Sequence, residues 1–370
     1  MLLSDLCSLD NKIGRFLNEA NRGDPVLLYG AGFAMPAILQ KLEDYRFNVV
    51  GICDSDPSKQ GSSYANTYPI YSLDQATDRH PKATFVISSP AHFDAIYAAL
   101  VEKLGAKRVS DVDLECSHYF KANEFNDFFR QNLPRFETVL SALADDGSRE
   151  TFFKVLKAHL SGERRSFQDA STGMEDWYLF RSQLKPNANS IYVDCGAFDG
   201  DTIRLFMSAA TEGFRGIYAF EPDPAMHDQL RELTDSAGQK RIHVVEKGAF
   251  DRQGVVLFHQ NGMYSAVVGA GDQGASGVVE IPVTTIDSVL SGEPVDTIKM
   301  DIEGAEFEAL KGAQRTIKSN KPRLAICVYH RVEDFVRIAE RILEFVPDYK
   351  LRLRHQSDSC TDTILFASLD

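Results

Sequence analysis

Apolar and polar positions change texture twice along the chain. From Pro25 to about Val112, short β-rich runs (VLLY, NVVGIC, TFVISS) alternate with helix-like ones (MPAILQKLEDY, HFDAIYAALVEKLG). That alternation predicts parallel strands joined by crossover helices. From about Cys116 to Pro186 the pattern is helical and aromatic, as in YFKANEFNDFFRQNLPRFETVLSAL and ETFFKVLKAHL, with a polar break at ADDGSRE. From Asn189 onward strand-like runs return: IYVDC, GIYAF, RIHVVE, DTIKM, RLAICVY, KLRLR and TILFAS. Turn-rich NGMYSAVVGAGDQGASG lies between two further β-like runs, VVLFH and VVEIPVTTI, and predicts a hairpin tip or loop beside a site. The expected organisation is a smaller Rossmann-like α/β domain over 1–115, a helical connector over 116–186 and a second α/β domain over 187–370.

Composition agrees with two cores. The chain has 370 residues, 44% apolar and 25% charged, long enough to bury more than one domain. A net charge of −13, from 40 basic and 53 acidic side chains, argues against an extended duplex nucleic-acid surface. No apolar run reaches membrane-spanning length, and MLLSDLCSLDNK interrupts its apolar start with Asp5 and Asp10, so the expected location is the cytoplasm. Six scattered cysteines without a CxxC pair indicate neither a zinc site nor a disulfide framework.

The chemistry begins at VDCGAFDGDT, residues 193–202, between an apolar run and a helix-like one. A pyrophosphate loop at such a place uses glycine-spaced backbone N–H groups and a helix N-terminus. Asp194, Asp199 and Asp201 would repel that ligand. S-adenosylmethionine has no phosphate and carries a sulfonium and an ammonium, both of which carboxylates can hold. Gly196 and Gly200 leave room for close backbone approach. Glu221 in GIYAFEP, 27 residues after Asp194 and at the end of the next strand, is placed to accept both ribose hydroxyls.

Taken together, VDCGAFDGDT, IYAFEPDP, VTTIDSVL, DTIKMDIEGAEFEALKGA and LAICVYHRVEDF resemble the FkbM-type methyltransferases over about Asp176 to Ser368. The resemblance implies the seven-stranded class I methyltransferase sheet and S-adenosylmethionine as cofactor. It implies a sugar, glycan-precursor or related hydroxyl as methyl acceptor. It also implies that Asp194, Gly196, Asp199 and Gly200 form the cofactor loop, that Glu221 binds ribose, and that adenine lies near Gly248, Ala249 and Phe250.

Ligands of open α/β sheets bind beyond the carboxyl ends of the strands. IKMDIEGAE puts Asp301 at such an end, with Glu303 two residues on. Carboxylates there can orient a hydroxyl, accept its proton or share a metal with a histidine. His330, at the end of RLAICVYH, should approach Asp301 by parallel geometry; His330 or Asp301 is then the expected base. The spacing of Asp301, Glu303 and His330 permits a metal without selecting one. His355 is expected one strand further off, and alternation turns Lys299 away from the neighbours of Asp301. Trp177 and Tyr178 read as packing of the connector, or as a cover over cofactor or acceptor.

In the first domain, VLLYGAGFAMPAIL supplies Gly30 and Gly32 after a strand, with Asp54 22 residues past Gly32, but Met35 stands where a dinucleotide loop has its third glycine. The stretch from Val49 to Ala76 resembles the Rossmann-like N-terminal domains of sugar-modifying enzymes. It is therefore expected to hold a nucleotide sugar or to serve assembly, including a homo-oligomer. The alternatives to a methyltransferase are a catalytically silent S-adenosylmethionine-binding protein and a nicotinamide-dependent oxidoreductase using Gly30, Gly32 and Asp54.

Overall fold

The computed structural model describes residues 2–117, 120, 123–236, 241–259, 266–267 and 278–370. The turn-rich stretch expected beside the site, residues 261–277, lies outside the described residues except for 266–267. Two compact units are present, Met1–Gln131 with Lys154–Asp169, and Asn132–Phe153 with Ala170–Asp370.

The first unit is built on β1 (Pro25–Tyr29), β2 (Asn48–Cys53), β3 (Ser63–Tyr64), β4 (Tyr68–Tyr71) and β5 (Thr84–Ile87). Its sheet order is β3-β4-β2-β1-β5, parallel except for the short β3. Leu27, Cys53, Phe85 and Ile87 bury against Phe93 and Leu100 of the helix Phe93–Leu104. That apolar layer explains why such short strands pair at all: each is apolar where the helix covers it.

Within the residues expected to form a connector, Glu124–Gln131, Leu133–Ala142, Asp146–Ser161 and Arg164–Gln168 are helical, and the division between units runs inside the helix Asp146–Ser161. Aromatic side chains account for the allegiance of each piece. In the first unit Phe125 stacks on His159 at 4.7 Å, and Phe167 meets the same ring edge-on at 4.9 Å. In the second, Phe136 packs near Phe152, and Arg135 makes a two-pronged pair with Glu340 at 2.8 and 2.6 Å.

The second unit contains, in chain order, β6 (Ile191–Cys195), β7 (Gly216–Phe220), β8 (Ile242–Val245), β9 (Gly248–Ala249), β10 (Gly254–His259), β11 (Ala266–Val267), β12 (Val278–Thr284), β13 (Thr297–Met300), β14 (Arg323–Cys327), β15 (Lys350–His355) and β16 (Thr363–Ser368). Seven of them form one sheet in the order β15-β16-β14-β13-β6-β7-β8. β8, β7, β6, β13 and β14 are parallel, and β16 is antiparallel to both neighbours. Each of the seven strand-like runs after Asn189 falls on one of these strands. β6 and β13 are buried at every position, as expected of central strands covered on both faces. The runs VVLFH and VVEIPVTTI pair antiparallel as β10 and β12 in a separate sheet of order β11-β10-β12-β9.

This order creates a switch point. From β6 the chain proceeds outward through β7 and β8, then returns to the other side of β6 for β13 and β14. Crossovers therefore leave the carboxyl ends of β6 and β13 in opposite directions and open a crevice there.

Candidate functional site

Four strand ends converge on that crevice. β6 carries the loop 196–200, β7 ends at Glu221, β13 at Asp301, and β14 runs on to Tyr329 and His330. Gly196 and Gly200 have φ of +81° and +89°, a region favouring glycine. A β-carbon on Gly196 would stand 1.9 Å from the carbonyl oxygen of Asp301. The loop after β6 and the turn after β13 therefore touch through their backbones.

Asp194 is fully buried and faces Lys299, its register partner on β13, with Oδ1 3.1 Å from Nζ. Its other oxygen accepts from Thr202 Oγ1 at 2.5 Å. Asp194 therefore reaches a ligand only through the loop it braces. Lys299 also donates to the Gly196 carbonyl at 2.7 Å. Burial alone would depress its pKa, but Asp194 and Asp301 overcome that and raise it. Alternation predicts Lys299 turned away from the neighbours of Asp301; the structure instead puts it on Asp194 and the cofactor loop, near enough to Asp301 to favour that carboxylate's charged form. Asp199 is more open, its side chain 35% exposed, and accepts from Asp201 N at 3.0 Å. Asp201 turns back to its neighbour Thr202.

Glu221 is held as a two-oxygen acceptor: Oε2 accepts from Phe198 N at 2.8 Å and Oε1 from Asp223 N at 2.9 Å. Each oxygen keeps an acceptor position for a diol. Burial raises its pKa, while these two backbone bonds oppose the rise. Gly248 and Ala249 form β9 beside Val283 and Thr284. The Phe250 ring is buried among Val256, Val283 and Ala305 and Ala249 is buried too, so at this edge Gly248 is the more available of the three.

Across the crevice Asp301 is clamped. Tyr178 donates to Oδ2 at 2.7 Å and Tyr329 to Oδ1 at 3.2 Å. Burial opposes ionisation, but Lys299, His330 and the Tyr178 hydrogen bond together hold the carboxyl below its ordinary range. His330 does approach Asp301, with Nε2 3.5 Å from Oδ1 and 3.7 Å from Glu303 Oε2, while Nδ1 lies 2.9 Å from Glu306. Burial would lower its pKa; the Glu306 and Glu303 carboxylates outweigh burial and raise it to about 10. An imidazole already protonated at neutral pH is a poor base, which shifts the proton-accepting role expected of His330 or Asp301 toward the carboxylates. Burial pushes Glu303 up to about 8, against the pull of His330. Behind this group Asp334 accepts from Arg337 at 2.6 Å.

Among the described residues, Asp301, Glu306 and His330 bring ligand atoms within 4.8 Å of one another; Glu306 replaces Glu303 in the trio that spacing suggested. The 2.9 Å contact of His330 with Glu306 is already an ion pair, and we assign no metal here. His355 is buried on edge strand β15, bonded to Thr363 Oγ1 at 2.9 Å, with its pKa lowered by burial to about 4. Glu306 and Tyr329 were missed as site residues, and Tyr178, expected as connector packing or as a cover over cofactor or acceptor, instead bonds Asp301. Glu306 opens a helix, where an acidic residue ordinarily signals only a favourable dipole contact.

In the first unit, Gly30, Gly32 and Asp54 also lie at strand ends, after β1 and β2. Asp54 accepts from Ala31 N at 2.7 Å and Asp56 N at 2.8 Å, and pairs with Lys59 at 3.2 Å. Asp54 thus ties together its own turns.

Comparison with known proteins locates this arrangement. Residues 194–354 match the family profile described as Methyltransferase FkbM domain. The solved methyltransferase FkbM of Methylobacillus flagellatus is similar over 99% of this chain and 96% of its own, with a TM-score of 0.75 and 23% identity. An rRNA methylase of Streptococcus thermophilus covers 52% of this chain and 94% of its own, at 14% identity and a TM-score of 0.33. A methyltransferase of Streptococcus mutans in complex with SAH covers 54% and 98%, at 14% identity and a TM-score of 0.33. No curated protein matches. The profile begins inside β6, at Asp194, and runs through β7, β13 and β14, the strands whose ends make the crevice, and on this match the chain is an S-adenosylmethionine-dependent methyltransferase.

Proposed function

We propose that the enzyme methylates a hydroxyl oxygen of a sugar or glycan precursor. The observation that carries this reading is the backbone contact between Gly196 and Asp301, which makes the loop after β6 and the acid group after β13 two walls of one crevice. S-adenosylmethionine, when bound, supplies an electrophilic methyl group. Glu221 would accept the ribose hydroxyls, and Asp199 with the loop backbone would receive the cationic end of the cofactor.

On the opposite wall, Asp301 would accept the hydrogen bond that orients the acceptor hydroxyl. Glu303, whose side chain is 28% exposed and whose pKa burial raises to about 8, would act in its ionised form, taking the released proton and returning it to solvent. His330 would serve as a fixed cation that keeps several carboxylates tolerable in one place. Orientation and proton removal are the main contributions a protein can make to such a displacement. Acidic side chains next to the acceptor favour a neutral polyol over a phosphorylated one.

Incubating the protein with a cell extract and isotopically labelled S-adenosylmethionine tests the reading by mass spectrometry. The expected product is a carbohydrate carrying an ether-linked labelled methyl group. Label confined to protein, nucleic acid or nitrogen atoms rules the proposal out.

A further inference from the structure

Tyr178 belongs to a short segment before β6, 123 residues from Asp301 along the chain. Its side chain is fully buried, and its backbone is left-handed, with φ of +57° and ψ of +10°. A non-glycine residue with a bulky side chain pays strain for that conformation and holds it only when its surroundings fix it. Those surroundings are specific. The Tyr178 N–H donates to Gln356 Oε1 at 3.0 Å, and Gln356 donates to Asp176 O at 3.2 Å. Lys299 Nζ lies 5.5 Å from the Tyr178 ring centroid, and Cys327 Sγ lies 3.6 Å from the hydroxyl.

Backbone strain, a side-chain amide, a cation and a thiol all act on one phenol, whose O–H donates to Asp301 Oδ2 at 2.7 Å. We propose that Tyr178 is a positioning residue of the methyl-transfer site, fixing the orientation and the charged state of Asp301 so that its remaining acceptor capacity faces the methyl acceptor. This rests on the reading of Asp301 as an acceptor-side group. Burial keeps the Cys327 thiol protonated, so its S–H can donate to Tyr178 while Tyr178 donates to Asp301. Such a chain polarises toward the carboxylate. Tyr329, at 3.2 Å, secures the other oxygen less tightly. The groups facing Asp301 are Lys299 in β13, Cys327 at the end of β14, Tyr329 and His330 beyond it, Glu303 in its own turn, and Asp362 before β16.

The test uses the full chain with Tyr178→Phe, which keeps the ring and the Gln356 bond. Infrared titration of ¹³C-carboxyl aspartate, with Asp301→Asn identifying the band, should show Asp301 titrating at higher pH in Tyr178→Phe, because a hydrogen bond to its charged form is gone. S-adenosylhomocysteine affinity should stay within about twofold, while kcat for labelled methyl transfer to the extract's acceptor falls about tenfold or more at an unchanged KM. A folded Tyr178→Phe whose Asp301 band does not move overturns the inference. If Asp301→Asn transfers normally, the underlying reading of the site fails. If Asp301→Asn is inactive and Tyr178→Phe is not impaired, the positioning inference alone fails. Should Tyr178→Phe not fold, nuclear magnetic resonance of the unsubstituted chain decides: a slowly exchanging Tyr178 hydroxyl proton that is lost in Asp301→Ala supports the inference, and one indifferent to that change overturns it.

Discussion

Lys299 and Asp194 face one another on adjacent parallel strands, 3.1 Å apart, with side-chain exposures of 3% and 0%. A pair this deep joins the cofactor loop to the strand that ends in Asp301. Removing one partner leaves an uncompensated buried charge, at a cost of about 3–5 kcal/mol. Lys299→Met and Asp194→Asn are each expected to lower unfolding stability by about that amount. The double variant should lose clearly less than the sum. Urea denaturation in a double-mutant cycle measures the difference; strictly additive losses would show that the two groups do not interact.

Glu221 offers a separate test of the cofactor side. Glu221→Ala removes the acceptor of two backbone N–H groups and the expected ribose contacts. Affinity for S-adenosylmethionine and S-adenosylhomocysteine should fall by about 1.5–3 kcal/mol, roughly ten- to a hundredfold. Calorimetry gives the answer directly. Affinity unchanged by the substitution would take Glu221 out of the cofactor site.

Much of the sheet was legible in the chain because its strands are buried on both faces. IYVDC and DTIKM announce themselves as apolar runs too short for helices, and their carboxyl ends point to the crevice. What was not legible depended on pairing. Lys299 inside DTIKM reads as turned away from the site until register sets it opposite Asp194. Tyr178 reads as connector packing, since no local pattern tells that a left-handed residue will send its hydroxyl to a carboxylate more than a hundred residues away. Glu306 looks like an ordinary acid in a helix's first turn. The third dimension alone places it against His330 and turns that histidine from an expected base into a cation.

The charge on His330 has a pH signature. Burial would depress its pKa, but Glu306 and Glu303 hold it up at about 10, against an ordinary 6.5. The folded state then binds this proton more tightly than the unfolded chain does. Its contribution to stability is complete below about pH 6.5 and is lost as pH rises toward 10. Glu303, raised by burial from 4.5 to about 8, acts in the same direction between those values. Unfolding stability should therefore fall from pH 6 to pH 10, and His330→Gln should flatten that decline. A pH profile of denaturation midpoints that is the same in both proteins would mean His330 is neutral in the native state.

Asp301 and His330 should separate by function. Asp301→Asn preserves size, and one tyrosine hydroxyl can still donate to the amide oxygen while the other accepts from the amide nitrogen, so S-adenosylhomocysteine affinity should remain within a few-fold. Methyl transfer should fall by about 10²–10⁴-fold if the carboxylate participates in the proton step or its orientation. His330→Ala differs, because it strips the cation from Glu306, which is fully buried. That variant should lose stability by about 3–5 kcal/mol before its activity can be interpreted. Thermal melting alongside single-turnover assays distinguishes the two outcomes, and an Asp301→Asn enzyme with full turnover would remove Asp301 from the reaction.

The contact between the two walls of the crevice makes one glycine critical and another dispensable. At Gly196, φ is +81°, and a β-carbon would sit 1.9 Å from Asp301 O and 3.2 Å from Ile302 Cγ2. Backbone cannot move aside as a flexible side chain can, so Gly196→Ala must push the cofactor loop off the β13 turn. The expected loss exceeds the roughly 1–3 kcal/mol that a strained φ alone would cost, and S-adenosylhomocysteine binding should fail with it. Gly32 in the first unit is the control: a β-carbon there meets nothing within 4 Å, and Gly32→Ala should change stability by no more than about 0.5 kcal/mol. Calorimetry and denaturation of both variants make the comparison. Normal cofactor binding by Gly196→Ala would show that the loop and Asp301 do not share a wall, and the single-crevice reading would fall with it.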